Sequence, residues 1–338
     1  MRWKKPLLLT AVALLALGSW LFAVRPWATT GVELLNVSYD PTRELWQELN
    51  ELFIAKHKRE TGQDLTINQS HGGSGAQARA VIDGLEADVV TLALGSDTDA
   101  LRRHGLLADG WQKRLPENSL PYYSTIVFVV RKGNPEKVRD WPDLVRPDIG
   151  VITPNPKTSG NGKLSFLAAW GSVVHRGGTE DDARNFVTKL YRNVPKLDTG
   201  ARGSTITFAR QQLGDVHLTW ENEAHLEVAE AKGELEIVYP PVSIRAEPFV
   251  AVVDGNVDRK GTREIAEAYL RFVYTDEAQE VLARHHYRPI SETVFKKYAD
   301  RFPKLDLFSI KVIAHDWNDA QDRFFAEGGV FDQIQKKR

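Results

Sequence analysis

The chain contains no cysteine in its 338 residues. This absence excludes disulfide bonds, thiolate metal sites and a lipid anchor attached to an N-terminal cysteine. An exported protein without disulfides fits a bacterial periplasm, whereas small domains secreted elsewhere are commonly stapled by several disulfides.

Two widespread catalytic signatures are also missing. The sequence has no P-loop and no His-Glu-x-x-His motif, so kinases, P-loop ATPases and zinc proteases have no support. Its histidines, including the pair His285 and His286, lack the spacing of metal ligands. The sequence therefore predicts neither a metal site nor a cofactor.

Acidic residues are absent from the first thirty positions, which carry four bases. The basic start leads into an apolar run from Leu7 to Val24, the arrangement of a secretory signal. The run is also about long enough to span a bilayer. Residues 1–30 are thus predicted to be a signal peptide or, if uncleaved, an N-terminal anchor. Either form would place the rest of the chain in the periplasm.

The remainder of the chain has 40 bases against 45 acids. This acidic balance argues against nucleic acid or an anionic membrane surface as the main partner. An anion bound by such a chain must be held by local donors, because the overall field does not attract it.

The length and the patterning together predict two α/β domains. A chain of 338 residues exceeds the usual size of one domain. Strand-like segments, such as Val32–Val37 and Leu65–Ser70, alternate with helical ones, such as Thr42–Arg59, at the spacing of parallel βαβ units. A similar series begins after Ser124.

We therefore expect two lobes, each a mainly parallel sheet flanked by helices, with two strand crossings near Ser124 and Ala246. The predicted boundaries are 31–124 plus 246–338 for lobe I and 125–245 for lobe II. A cleft between two such lobes is a preferred place for a ligand.

Three glycine-containing turns precede predicted helices, two of them in lobe II. They are His71–Ala76, Thr158–Gly162 and Leu197–Ser204, the last ahead of a helix predicted over Ser204–Leu213. Glycine is common in such turns for steric reasons alone, but helix starts also present free N–H groups to anions. Ser159 adds a hydroxyl and Trp220 an indole N–H that can only donate. The combination predicts a cleft of uncharged donors suited to a tetrahedral oxyanion.

Long stretches around these turns resemble the periplasmic sulfate- and thiosulfate-binding proteins of ABC importers. They include Asn36-Val-Ser-Tyr-Asp-Pro-Thr-Arg-Glu44, Gln69-Ser-His-Gly-Gly-Ser-Gly75, Thr153-Pro-Asn-Pro-Lys-Thr-Ser-Gly160, Asp198-Thr-Gly-Ala-Arg-Gly-Ser-Thr205 and Thr219-Trp-Glu-Asn-Glu-Ala224. The resemblance covers nearly all of the chain after the apolar run. It implies a type II periplasmic binding fold, sulfate or thiosulfate between the lobes, a monomer, and ABC permease subunits as partners.

The resemblance also implies a set of binding residues. They are the backbone N–H groups of Asp40, Ser74, Gly160, Asn161 and Ala201, the hydroxyl of Ser159 and the indole of Trp220. The family usually has Ser-Gly-Gly-Ala-Arg where this chain has Ser159-Gly-Asn-Gly-Lys163, so affinity and the preference among sulfur oxyanions are open. Lys163 and Arg202 are expected beside the binding residues rather than on the ligand.

Other tetrahedral oxyanions remain alternatives. Phosphate at neutral pH carries a proton and needs an acceptor, whereas sulfate carries none, and an unpaired carboxylate facing sulfate would be costly. Asp40 is the only acid in the implied set, and it is expected to contribute its N–H. Sulfate is therefore favoured over phosphate, with thiosulfate and molybdate also open.

A serine hydrolase is the remaining alternative. Gly72-Gly-Ser74-Gly-Ala76 differs by one residue from the Gly-x-Ser-x-Gly nucleophile motif. The adjacent His71 is badly placed to act as a base, and no ordered Asp-then-His pair follows. We therefore expect a binding protein and not an enzyme.

Overall fold

The computed structural model describes residues 31–336. The predicted signal or anchor, residues 1–30, lies outside the described residues. Within the described part, no helix combines the length and the apolar character needed to cross a bilayer.

The described residues form twelve strands. In chain order they are β1 Val32–Tyr39, β2 Leu65–Gly72, β3 Val89–Leu92, β4 Tyr122–Tyr123, β5 Ile126–Arg131, β6 Val151–Ile152, β7 Val216–Trp220, β8 Leu235–Val238, β9 Val242–Ile244, β10 Phe249–Val252, β11 Arg288–Pro289 and β12 Asp306–Phe308.

Helices connect most of these strands. The α-helices used below are α1 Arg43–Thr61, α2 Ser74–Ile82, α3 Gly95–Arg103, α4 Gly160–Val174, α5 Glu180–Arg192, α6 Ala201–Thr205, α7 Glu221–Glu230, α8 Asp254–Lys260, α9 Arg263–Phe272, α10 Asp276–Arg284, α11 Glu292–Lys297, α12 Trp317–Ala320 and α13 Val330–Gln335. Shorter turns of 3-10, π or irregular helix are Asp40–Thr42, Trp111–Arg114, Pro116–Ser119, Trp141–Val145, Ile206–Arg210, Ala299–Arg301, Ile310–Val312 and Gln321–Phe325.

The first sheet has the strand order β10-β3-β1-β2. Strand β1 runs parallel to both β2 and β3, and β10 closes the edge antiparallel to β3. Helix α1 packs an apolar face inward, with Leu45, Leu49 and Phe53 buried. The parallel β1–β2 pair matters for the site, because both strands end on the same edge of the sheet.

The second sheet has the order β6-β7-β5-β8. Only β6 and β7 are parallel, and β5 runs antiparallel to both of its neighbours. The two-lobed α/β fold is confirmed, but the expectation of a mainly parallel sheet is wrong for the second sheet, where two of the three strand pairings are antiparallel. The reason is that β5 enters directly from the crossing at Ser124 and not through a βα connection.

The two crossings lie side by side. Ser124 and Ala246 form an isolated antiparallel bridge, with N–O distances of 3.0 and 2.9 Å between their backbones. The segments that join the two sheets therefore support each other.

The C-terminal tail contacts both sheet layers. Strand β12 pairs with β9, and the ring of Phe331 packs 6.0 Å from that of Phe166 in α4. Arg103 in α3 donates to Asn318 at 3.0 Å on the other side. The lobe boundaries stay a prediction, and these contacts favour assigning most of the tail from Asp306 to lobe II.

Some helix limits differ from the expectations. The helix predicted over Ser204–Leu213 begins three residues earlier, at Ala201, and continues as a π-helix to Arg210.

Candidate functional site

Four helical starts converge where strands of both sheets end. Helices α2, α4 and α6 begin at Ser74, Gly160 and Ala201, and a 3-10 turn begins at Asp40 directly after β1. The first N–H groups of a helix have no partner within it. These starts therefore offer backbone donors at the positive ends of the local dipoles.

A small cavity of about 10 Å³ lies among these starts. Its lining contains all seven residues implied by the family resemblance, together with four that were not named. The lining residues are Tyr39, Asp40, Pro41, Gly72, Gly73, Ser74, Ser159, Gly160, Asn161, Ala201 and Trp220. The structure thus brings together in space residues that are up to 181 positions apart in the sequence.

Trp220 closes one side of the cavity. It is the last residue of β7 and is fully buried, with its ring 5.3 Å from the ring of Tyr39. Its indole Nε1 is buried, and no acceptor within the described residues accepts its proton. A buried donor left unpaired costs about 1–3 kcal/mol, so this group is poised for an acceptor that the protein does not itself supply.

The hydroxyl of Ser74 is already engaged. It donates to Asp97 Oδ2 at 2.6 Å and accepts from the N–H of Ala93 at 3.0 Å. Asp97 is paired in turn with Lys163, whose Nζ lies 3.0 Å from Oδ1, and both side chains are nearly buried. Ser74 therefore faces the cavity with its backbone N–H, while Lys163 pairs with a carboxylate instead of lining the cavity.

Ser159 and Asn161 use their side chains differently at the start of α4. The Ser159 Oγ caps the helix by accepting from Gly162 N at 3.4 Å, which leaves its own proton free for another acceptor. The Asn161 carboxamide turns to β7, where it donates to Leu218 O and accepts from Trp220 N.

The acids and bases near the cavity are paired with one another. The carboxylate of Asp40 lies 2.9 Å from Arg43, which leaves its backbone N–H as its contribution to the cavity. Arg202 contacts Glu44 and Glu223, each at 2.9 Å. Burial raises the pKa of Glu223 to about 8, and the attraction of Arg202 only partly opposes this rise. Lys163 and Arg202 thus lie beside the cavity, and neither of them lines it.

Glycines allow the two sides of the cavity to approach closely. A Cβ atom at Gly160 would lie 2.7 Å from the Cβ of Ala93, and one at Gly73 would lie 2.6 Å from Thr158 O. Both contacts join residues of the first sheet layer to the α4 turn of the second. No larger residue fits at either position without moving the neighbouring chain.

No metal site accompanies the cavity. Within residues 31–336, no group of three or more His, Asp or Glu side chains is arranged to hold a metal ion. The cavity offers hydrogen-bond donors from backbone N–H groups, a serine hydroxyl and an indole, an arrangement suited to holding a small anion.

The sequence did not point to two important residues around the cavity. Asp97 links Ser74 to Lys163, and Glu223 pairs with Arg202. From the sequence alone, each could be recognised only as an acidic residue near the start of a helix. Their roles depend on partners 66 and 21 positions away in the chain, so local sequence carried no signal for them.

Known proteins resemble this chain over most of its length. The model of the bacterial extracellular solute-binding proteins matches residues 34–288. A sulfate-binding protein of Escherichia coli K12 is 54% identical over 308 residues, covering 90% of this chain and 94% of the relative. A thiosulfate-binding protein of Pseudomonas aeruginosa is 50% identical over 322 residues, covering 95% of each chain.

A solved structure agrees with these matches. The sulfate-binding protein SubI from Mycobacterium tuberculosis H37Rv superposes with a TM-score of 0.78 at 31% identity, covering 87% of this chain and 99% of SubI. The matched region contains both sheets and every residue that lines the cavity. This chain therefore belongs to the bacterial extracellular solute-binding protein family, together with these sulfate- and thiosulfate-binding relatives.

Proposed function

We propose that the protein captures sulfate, and also thiosulfate, in the cavity between its lobes. The observation that carries the proposal is the buried, unpaired indole N–H of Trp220, which lines a cavity otherwise bordered by helix starts. A tetrahedral anion would supply acceptors for that N–H, for the Ser159 hydroxyl, and for the backbone N–H groups of Asp40, Ser74, Gly160, Asn161 and Ala201. The names of the relatives support the same ligands.

The absence of an unengaged carboxylate among the lining groups that the structure describes favours sulfate over phosphate. Phosphate near neutral pH carries a proton, and a site for it gains from a carboxylate acceptor. Asp40 is the only acid that lines the cavity, and its carboxylate is engaged by Arg43. A bound sulfate needs only donors, which this cavity supplies.

A hydrolase based on Ser74 is the weaker alternative. Its hydroxyl donates to a carboxylate and accepts from a backbone N–H. A serine nucleophile requires a histidine or another base to take its proton. We therefore propose binding without catalysis.

Membership of the family supports a cellular role in anion uptake. In this proposal, residues 1–30 direct export, and the protein works as a monomer in the periplasm and delivers the anion to ABC permease subunits. One lobe binds the anion first and the other closes over it, so that the closed form marks the loaded state.

Calorimetric titration with sulfate, thiosulfate, phosphate and molybdate tests the proposal. We expect one sulfate per chain, binding of thiosulfate, and little or no binding of phosphate. Trp220→Phe keeps the ring but removes the N–H, and we expect sulfate affinity to fall roughly 10- to 100-fold, the usual worth of a hydrogen bond to a charged group. Tight phosphate binding with none for sulfate would overturn the assignment.

A further inference from the structure

The carboxamide of Asn161 occupies a place that a strand would otherwise fill. Its Nδ2 donates to Leu218 O at 3.1 Å, and its Oδ1 accepts from Trp220 N at 3.2 Å. The residue is 3% exposed. The two contacts flank Thr219 on β7, which is the pattern by which one residue of a parallel strand bonds its neighbour.

Strand β6 ends too early to make these bonds itself. It pairs with β7 only through Val151 and Ile152, opposite Val216 and His217. Two residues further on, the chain reaches Pro154, which has no N–H to donate. The other side of β7 is paired with β5 as far as Trp220. The side chain of Asn161, from helix α4, therefore makes the two hydrogen bonds that would continue the β6–β7 pairing.

We propose that Asn161 is a positioning residue for Trp220, a role separate from its own backbone N–H. The carboxamide fixes the backbone of Trp220 and ties it to the start of α4. It thereby sets the distance between the indole N–H and the N–H groups of Gly160 and Asn161, which line the same cavity. The proposal rests on anion binding at this cavity.

The positioning role depends on the side chain of Asn161, and this position differs from the family pattern. The family resemblance places glycine at this position, so the fold does not depend on a carboxamide there. Asn161→Gly and Asn161→Ala should therefore fold, and both keep the backbone N–H that the proposed function requires. They remove the two bonds to β7 and one longer bond of 3.4 Å, from Asn161 Nδ2 to Ser165 Oγ.

Two measurements test the role. In ligand-free protein labelled with ¹⁵N-tryptophan, the indole resonance of Trp220 is identified by its loss in Trp220→Phe. We expect it to shift or broaden in Asn161→Ala, because the backbone that carries the ring is no longer held. Calorimetry should show sulfate affinity lowered about tenfold, the worth of one hydrogen bond of about 1.4 kcal/mol.

Asn193→Ala is the matched control. Asn193 also donates through its carboxamide to two backbone carbonyls, those of Leu144 and Arg146, at 2.9 and 2.7 Å. It lies in the same lobe but does not line the cavity. We expect this variant to lose thermal stability while leaving sulfate affinity and the Trp220 resonance unchanged.

The outcomes separate this role from the proposed function. An unmoved indole resonance in Asn161→Ala overturns the positioning role, whatever happens to affinity. A shifted resonance together with wild-type affinity also overturns it, because the position of the ring would then not matter for binding. Failure of the unmodified protein to bind any of the four anions instead overturns the proposed function, and the resonance still reports on the contact with β7.

Discussion

Single residues that line the cavity engage some of their polar groups with the protein and leave others free. Ser74 commits its hydroxyl to Asp97 and Ala93 and keeps its N–H for the cavity. Ser159 accepts a capping bond and keeps its hydroxyl proton. Replacing each serine by alanine should therefore affect sulfate affinity and stability differently.

Ser159→Ala should weaken sulfate binding strongly and Ser74→Ala only slightly. We expect a loss of roughly 10- to 100-fold for Ser159→Ala, because a hydrogen bond to a charged ligand disappears. Ser74→Ala should keep sulfate affinity within about threefold but lower the free energy of unfolding by about 1–3 kcal/mol, because Asp97 and the Ala93 N–H lose a buried partner. Calorimetry and urea unfolding measure the two effects. A strong loss of binding in Ser74→Ala would contradict this assignment of its hydroxyl.

The sequence was informative about residues whose chemistry is local. Trp220, Ser159 and the turn residues were predicted together because long motifs surround them, and the structure lines one cavity with them. Their roles as ligand donors stay a prediction. Asp97 and Glu223 were not predicted, because their roles depend on ion pairs with residues that are distant in the sequence.

At the scale of elements, the starts of the helices decide where the donors point. The sequence placed the helix starts near Ala76 and Ser204, whereas the helices begin at Ser74 and Ala201. The error has a physical source, since each missed stretch contains a glycine, Gly75 or Gly203, which has low helix propensity, and neither stretch has an apolar periodicity. The true starts bring Ser74 and Ala201 to the first helical position.

Gly160→Ala should obstruct the approach of the α4 start to the first sheet layer. The added methyl group would lie 2.7 Å from Ala93 Cβ and 3.4 Å from Ser74 Cβ. We expect sulfate affinity to fall roughly tenfold or more, since overpacking a tight contact costs about 1–3 kcal/mol. Gly75→Ala is the control, because its nearest neighbour would lie 3.8 Å away. Equal affinities for the two variants would show that this contact does not limit binding.

At the scale of the whole molecule, polar and ionic contacts join the two sheet layers around the cavity. Lys163 meets Asp97, Arg202 meets Glu44, and Arg288 makes two bonds to the buried Glu221. The sequence pattern predicted two lobes and a cleft but not these pairs, because charge complementarity between lobes depends on their final orientation. The contact between the two layers also contains a pair of histidines.

Two histidine rings stack where α7 meets the chain after α10. The rings of His225 and His286 lie 3.7 Å apart and are inclined by 9°. Tyr239 shares a hydrogen bond with His225, while Arg301 and His285 are the nearby basic groups. Burial, as the largest cause, lowers the pKa of each ring to about 4. Repulsion by Arg301 contributes to the lowered pKa of His225. Repulsion by His225 and Arg301 contributes to the lowered pKa of His286.

Acid should therefore weaken the folded protein through this pair. Each pKa in the folded state lies below the value near 6.5 of an unfolded chain. Between these two values the unfolded chain therefore binds protons that the folded chain does not bind. The contribution is intact above about pH 6.5 and is lost progressively as the pH falls towards 4. Urea unfolding should show the midpoint falling over this interval.

A double variant isolates the histidines from the other groups that titrate. Glu223, with its pKa raised to about 8, acts in the opposite sense, because its protonation favours the folded state as the pH falls from 8. His225→Gln with His286→Asn removes only the pair, and asparagine tolerates the positive φ of 60° at position 286. Both proteins keep Glu223, so its contribution cancels in the comparison. We expect a smaller acid-dependent loss in the variant, and an equal loss would mean that the stacked pair does not couple pH to the contact between the lobes.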